Sequence, residues 1–370
     1  MLTPEQQRRL ARDMQAALDQ VRTGIISLDA RTQMQLRALF ESASTALSRG
    51  LRALADPQGV ISALQMHQVQ AAVDVVLQLL RDKQQPLIED ALRAAASNGA
   101  GLTTQLGKSA VGEAITALPH AGAVTAEVLT AVLHGTAEDG LTLSDRIWRN
   151  HVALRQELLP TLQRAVLAGE TARDATRAAL KAGQNVSEDL LNQIEMARAG
   201  ALGEQAAQIL AGPEAQAYGN AARVFRTEMD RANILATRAG IYAVDGVAGT
   251  RFMLSPNHPR FDICDMHAKV NLYGLGAGVY PRGKSPLPAH PNTISFEEVV
   301  FEWEVTDADK AGQHELIDWL AKRSDAELYG VLGQSEKKVA ALRAGLLQPD
   351  EITQPWRALR AKYENQLQAA

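Results

Sequence analysis

Apolar residues recur three and four positions apart through the first part of the chain. Leu10, Met14, Leu18, Val21 and Ile25 form one run, and Leu36, Leu39, Ala43, Leu47, Leu51 and Leu54 another. That spacing predicts amphipathic helices over 4–55, with Thr3-Pro4 as a start signal. Asp56-Pro57-Gln58-Gly59 reads as a turn. A third helix is expected over 60–81 with Leu64, Val69, Val73, Val76, Leu77 and Leu80 on its buried side, and a fourth from Pro86. An intramolecular bundle accounts for these stripes; an oligomeric bundle or coiled coil is the alternative. The text then turns Gly/Ser/Thr/Ala-rich over 97–123. Each glycine inside a helix costs about 1 kcal/mol against alanine, so the segment is expected to be weakly structured or to form a close-packed crossing. We read it as a hinge.

Helical periodicity returns at Leu143-Ser144-Asp145, with Ser144 as the expected N-cap and Asp145 at the positive helix end. Pro160 is expected to kink or divide this helix, with a further helix over 172–182, and Gly212-Pro213 precedes another over 215–240. Strand-like text follows at 248–254, and at 297–305, where Val299, Phe301 and Trp303 alternate with Glu302 and Glu304. Beyond Thr306 the pattern is helical again. The expected fold is mainly α with a small α+β core domain. Its parts are an N-terminal helical region (1–96), a connector (97–140), a second helical region (141–212), the α+β core with a short sheet and an ordered Pro/Gly-rich loop (213–305), and a C-terminal helical tail (306–370).

Composition sharpens this division. Of sixteen aromatic residues only Phe40 and Trp148 precede residue 200, which sets an Ala/Leu-rich first half against an aromatic second half. A net charge of −4 gives no broad attraction to nucleic acid. One cysteine excludes an internal disulfide and fits a reducing compartment. The first fifteen residues lack the apolar core of a signal peptide, and no run of about 18 uninterrupted apolar residues is available to span a membrane.

The stretch 251–291 holds six of the fourteen prolines, the only cysteine and three of the eight histidines. Such density of Pro and Gly predicts an ordered irregular loop. Within it stand Leu254-Ser255-x-x-His258, Asp262-x-Cys264-Asp265, Tyr273-Gly274-Leu275-Gly276-x-Gly278-Val279-Tyr280-Pro281 and His290-Pro291. In wording and order this resembles the signature of the phage Mu F-like head morphogenesis (minor head) proteins. That pattern ends His-Pro-x-Cys-x-Cys, whereas Thr293 and Ser295 occupy the two cysteine positions here. The helix centred on Arg223, Thr227 and Glu228 is similar to the Arg-Thr-Glu helix that opens the family's core, and 141–182 is similar in composition to the helical region before it.

The resemblance covers roughly 141–305 and leaves 1–140 unexplained. It implies a non-enzymatic component of head morphogenesis, made in the host cytoplasm and carried in the virion, with portal and major capsid or scaffold proteins as partners. Contact with packaged DNA would be non-specific, and no membrane is involved. The signature residues Arg223, Thr227, Glu228, His258, Asp262, Cys264, Asp265, Tyr273, Gly274, Gly276, Gly278, Tyr280, Pro281, His290 and Pro291 are then structural. Arg223, Thr227 and Glu228 are expected to hold the loop by charge-assisted hydrogen bonds, although Glu228 could instead pair with Arg231 on the surface.

Other chemistry can be written on the same residues. Cys264-x-x-His267 with His258 and His290 offers four candidate zinc ligands. The plainer reading, which we adopt, needs no cofactor: Asp262 and Asp265 cap turns while His258 and His290 donate to backbone carbonyls. A hydrolase would use His258 or His290 as base with Asp262 orienting it, and Cys264 with His267 is a weaker nucleophile pair. A metal-dependent nuclease or toxin-like effector on the same core is thus the rival to a structural protein. The glycines at 274, 276 and 278 are followed by Val-Tyr-Pro and no helix, so a dinucleotide site fails and turns with positive φ are expected. Residues 101–109 end Gly-Lys-Ser, yet the spacing is wrong for a phosphate loop and no strand precedes it. Finally, Ser335 to Gly345 reads as a Ser-capped surface helix closed by Gly345, rather than a DNA-recognition helix presenting Lys337, Lys338 and Arg343.

Overall fold

Long apolar stripes dominate the architecture, in a computed structural model that describes residues 2–108, 118–136, 140–256, 258–290, 293 and 295–369. The helices in chain order begin with α1 (Pro4–Leu54), α2 (Met66–Gly107), α3 (Ala121–His134) and α4 (Leu143–Lys181). Shorter α5 (Glu188–Met196) and α6 (Ala199–Ala211) precede α7 (Gln216–Ile241). Strands β1 (Val247–Met253), β2 (Val279–Tyr280) and β3 (Phe296–Phe301) follow, with α8 (Ile263–Lys269) between the first two. The chain closes with α9 (Asp307–Ala311), α10 (Leu316–Ala321), α11 (Asp325–Val331), α12 (Glu336–Arg343) and α13 (Trp356–Ala369). The fold is mainly α with a small β core, as the sequence predicts. Among the described residues, no helix is long and apolar enough to cross a membrane.

Residues form two compact units. One comprises Met1–Ile25, Ala95–Val128 and Asp230–Ala370; the other comprises Ile26–Ala94 and Leu129–Met229. The second is all helical. Leu36, Leu47 and Leu51 of α1, Ile88 and Leu92 of α2, and Leu158, Leu162 and Val166 of α4 are fully buried in it. Phe40 meets Tyr218 edge-on at 5.8 Å, and Arg155 grips Asp74 through two hydrogen bonds of 2.6 and 3.2 Å. Glycines permit close approach here: a Cβ at Gly169 would collide with the Ala197 side chain, and one at Gly203 would meet Ser48.

Several sequence expectations change in physically instructive ways. The two predicted helices of 4–55 are one helix of 51 residues. Pro86 lies inside α2 and Pro160 inside α4, and neither ends its helix. Both prolines are on exposed faces, where a carbonyl left without its N–H donor can be solvated, while the fully buried Ile88, Leu158 and Leu162 hold the flanking turns in register. α4 begins two residues early: Thr142 is the N-cap, and Asp145 returns a hydrogen bond to the Thr142 N–H in a reciprocal capping box. Leu64, expected in the core, sits in a short 3₁₀ turn ahead of α2 and is 94% exposed.

The largest revision concerns 97–107, which is not a hinge but the last turns of α2. Its glycines allow a close crossing. A Cβ at Gly99 would run into the Asn233 carbonyl of α7, and one at Gly240 would press on Leu102 and Thr103. Asn98 seals the crossing by donating to the Val21 carbonyl at 2.7 Å and to Asn233 at 2.8 Å. Of the remaining connector, 121–134 is helical, while 109–117 and 137–139 lie outside the described residues.

In the first unit the sheet is antiparallel with order β2-β1-β3. β3 ends at Phe301, and Glu302–Glu304 turn into a 3₁₀ helix, so Trp303 leaves the strand and stacks on Phe301 at 4.5 Å. One core packs Leu10, Met14, Leu18 and Val21 of α1 with Leu102 and Leu106 of α2, Ile241, Val244 and Phe301. The C-terminal segment is no loose tail. Leu320, Leu328, Leu332, Ala341 and Leu347 join Met266 and Val270 in a second core. Lys338 is buried there, donating to the carbonyls of Ile352 (2.5 Å) and Gln354 (2.9 Å), and burial lowers its pKa to about 8. Ser335 caps α12 and Gly345 closes it at φ +70°.

Gly99→Ala should destabilise the protein by about 1–3 kcal/mol through overpacking. A lowered melting temperature with unchanged helix content by circular dichroism is the expected result.

Candidate functional site

Strand β1 is the floor of the Pro/Gly-rich segment. Phe252 N–H donates to the Gly278 carbonyl and Gly278 N–H to the Val270 carbonyl, both at 2.8 Å, so the segment folds back over the sheet. Gly274, Gly276 and Gly278 take φ of +67°, +108° and +71°. Only glycine adopts such angles at little cost, and a Cβ at Gly278 would also lie 2.6 Å from the Ala268 carbonyl. Asn271 latches this glycine run: its Oδ1 accepts from Gly276 N–H at 3.3 Å and its Nδ2 donates to the Asp309 carbonyl at 2.7 Å. Tyr280 is buried and Tyr273 half-exposed, their rings meeting edge-on at 5.7 Å; Pro281 follows at the partly buried end of β2.

Inside the segment, α8 is an element that its Pro/Gly density concealed. Asp262 is its N-cap, accepting from Cys264 N–H at 2.7 Å, and Asp265 accepts from Asp262 N–H at 3.1 Å. The expected capping by both aspartates is therefore present. The histidines behave otherwise. His258 Nε2 bonds the Asp265 carboxylate at 2.8 Å, and His290 Nε2 faces Asp262 Oδ2 at 3.6 Å. His258 thus bonds a carboxylate and not the backbone carbonyl expected, because the α8 cap concentrates two acidic side chains at one point. Burial opposes ionisation of Asp265, but Lys269, the Asp262 N–H and His258 outweigh it and hold its pKa below the usual value.

His267 leaves the candidate zinc set. Its Nδ1 meets the Tyr280 hydroxyl at 2.9 Å and its ring packs between Phe252 and Tyr280, at 5.6 and 5.9 Å. Burial lowers its pKa to about 4. Cys264 is fully buried, and burial raises its thiol to about 11. Its Sγ lies 3.6 Å from the Thr293 hydroxyl, and Thr293 and Ser295 both offset part of the rise that burial causes. The two positions where the sequence departs from the Mu F-like pattern thus stand beside the one cysteine that remains. With His267 committed to Tyr280 and the thiol protonated, a Cys264–His267 nucleophile pair is not formed.

Among the described residues, two overlapping groups have metal-compatible spacing: Asp262, Cys264 and His290, and His258, Asp262 and Asp265. In each, the ligand atoms lie within 4.8 Å of one another. Together the two groups differ from the sequence candidates by gaining Asp262 and Asp265 and losing His267. Pro291, with its neighbour Asn292, lies outside the described residues.

Arg223, Thr227 and Glu228 fall in the all-helical unit, whereas the loop belongs to the other. Glu228 is 2% exposed and pairs with Arg146 of α4, so it is no surface partner for Arg231. Thr227 donates to the Arg223 carbonyl at 2.7 Å. The side chain that grips the loop is Arg238, three turns further along α7. It pairs with Glu297 of β3 at 2.7 Å and donates to the Leu287 carbonyl at 3.3 Å. Glu297 also accepts from Thr250 of β1 at 3.0 Å and from Ser285. An Arg in a helix and a Glu in a strand gave no sequence signal of this pairing. No protein-family model, curated protein or solved structure matches the chain.

Arg238→Ala strands Glu297 in a nearly closed environment and should cost about 3–5 kcal/mol, read as an early loss of near-UV circular dichroism on heating. For His267, the unfolded chain takes up a proton near pH 6.5 and the folded chain only near 4. Its contribution is complete above about pH 6.5 and falls away as pH drops towards 4, by an amount on the order of 3 kcal/mol. In chelator-treated protein, His267→Gln should flatten that part of the stability–pH curve; an unchanged slope would assign it elsewhere.

Proposed function

We propose that the protein is a phage minor head protein of the Mu F-like type, a non-enzymatic part of head assembly. One observation carries this reading. The signature residues of 254–290 act as caps, positive-φ turns and buried packing within one small α+β unit. Asp262 and Asp265 cap α8, the three glycines shape the turn, and Tyr280 and Cys264 fill the core beside Ile234, Phe252 and Leu287. Residues spent on shaping an ordered loop suit a component that presents a fixed surface to other proteins. Portal and major capsid or scaffold proteins are its partners in this reading, and the virion is its destination after synthesis in the host cytoplasm. With a net charge of −4, contact with packaged DNA would be weak and independent of sequence.

The Asp262–Cys264–His290 group favours a second reading, a metal-dependent nuclease or toxin-like effector on the same core. The two diverge in simple assays. A minor head protein should be found by mass spectrometry in purified particles and co-purify with portal protein, and the isolated chain should leave plasmid DNA intact with magnesium, manganese or zinc. Absence from particles together with metal-dependent cleavage would reverse the assignment.

A further inference from the structure

The acidic and imidazole groups around the head of α8 fall into two kinds. His258 and Asp265 satisfy each other at 2.8 Å, and Asp265 is further occupied by Lys269 at 2.9 Å and the Asp262 N–H at 3.1 Å. Asp262, Cys264 and His290 are arranged differently. Asp262 Oδ1 accepts from Cys264 N–H, while Asp262 Oδ2 stands 3.6 Å from His290 Nε2, beyond hydrogen-bonding distance. Cys264 Sγ completes the trio, within 4.8 Å of both. For zinc bound tetrahedrally at about 2.0–2.1 Å from N or O and about 2.3 Å from S, the N···O edge is about 3.3 Å and each edge to sulfur about 3.6 Å. The spacing is that of donors around a common centre, reached by side-chain shifts of about 1 Å.

We propose that Asp262 Oδ2, Cys264 Sγ and His290 Nε2 bind one zinc-type divalent ion, with solvent in the fourth position. The cysteine is fully buried, whereas the Asp262 and His290 side chains are 18% and 33% exposed, so the trio lies at the edge of the core within reach of solvent. A sulfur and an imidazole select zinc or cobalt over magnesium and calcium, which take oxygen ligands. The Thr293 hydroxyl beside Sγ and the Cys264 N–H on Asp262 Oδ1 are outer-sphere supports that orient two of the ligands. The ion would tie the cap of α8 to the segment entering β3. An ion there fits a structural site in a head protein as well as the rival enzyme, and DNA cleavage, not metal content, separates those two.

The test is a cobalt titration of full-length, chelator-treated protein at about pH 7.5. Wild type should saturate at one cobalt per chain with a thiolate charge-transfer band and intense visible bands, and should lose both to one equivalent of zinc. Cys264→Ser should abolish the charge-transfer band, and His290→Gln and Asp262→Asn should weaken binding roughly tenfold or more. His267→Gln and His258→Gln should keep the band. Circular dichroism identifies any variant that fails to fold, and the wild-type titration alone decides whether the site exists. A folded wild type with no charge-transfer band overturns the proposal, and a band that survives His290→Gln but vanishes in folded His267→Gln overturns the ligand set.

Discussion

The β core depends on one buried charge pair. Arg238 reaches from α7 to Glu297 on β3, and the same carboxylate collects Thr250 of β1 and Ser285 of the loop. Four segments distant in sequence are thereby referred to a single side chain. Such a pair gains little over a well-packed apolar substitute, but losing one member leaves an uncompensated charge in a closed environment. The arrangement thus fixes register more than it adds stability: Glu297 faces Arg238 only if β3 lies on β1 as observed, because a one-residue slip turns it to the opposite face.

That unit also shows what the sequence could and could not disclose. The positive φ of Gly274, Gly276 and Gly278, the caps at Asp262 and Asp265, and the closure of α12 at Gly345 were legible because each is a local choice with few alternatives. Thr142, two residues from the expected cap, shows how a local rule fixes the chemistry of a helix start better than its position. Pro86 does not start a helix and Pro160 does not divide one for the opposite reason: a local penalty was outweighed by burial of the turns on either side. Gly99 was ambiguous in principle, since the same absent Cβ serves a hinge and a close crossing, and only the position of Asn233 decides.

The candidate site was half visible. Cys264, His258 and His290 stood out by residue type, but proximity in sequence suggested His267, which the fold turns inwards to Tyr280. Asp262 was read as a cap or as an orienter of His258 or His290, not as a ligand, although a carboxylate has a second oxygen to face His290 while the first holds the helix start. The proximity of Thr293 and Ser295 to Cys264 depends on how β3 enters the sheet, which no local pattern encodes.

The interleaved build of the two units bears on how the chain is made. Leu10, Met14 and Leu18 share a core with Phe301, about 290 residues downstream. At ribosomal rates of about 5–20 residues per second, that apolar stripe waits roughly 15–60 s for its partner to be synthesised. Until then Leu102 and Leu106 can cover only part of the nascent helix, so early chaperone engagement or assembly beside a partner protein would guard an apolar stripe that is made long before its cover is complete.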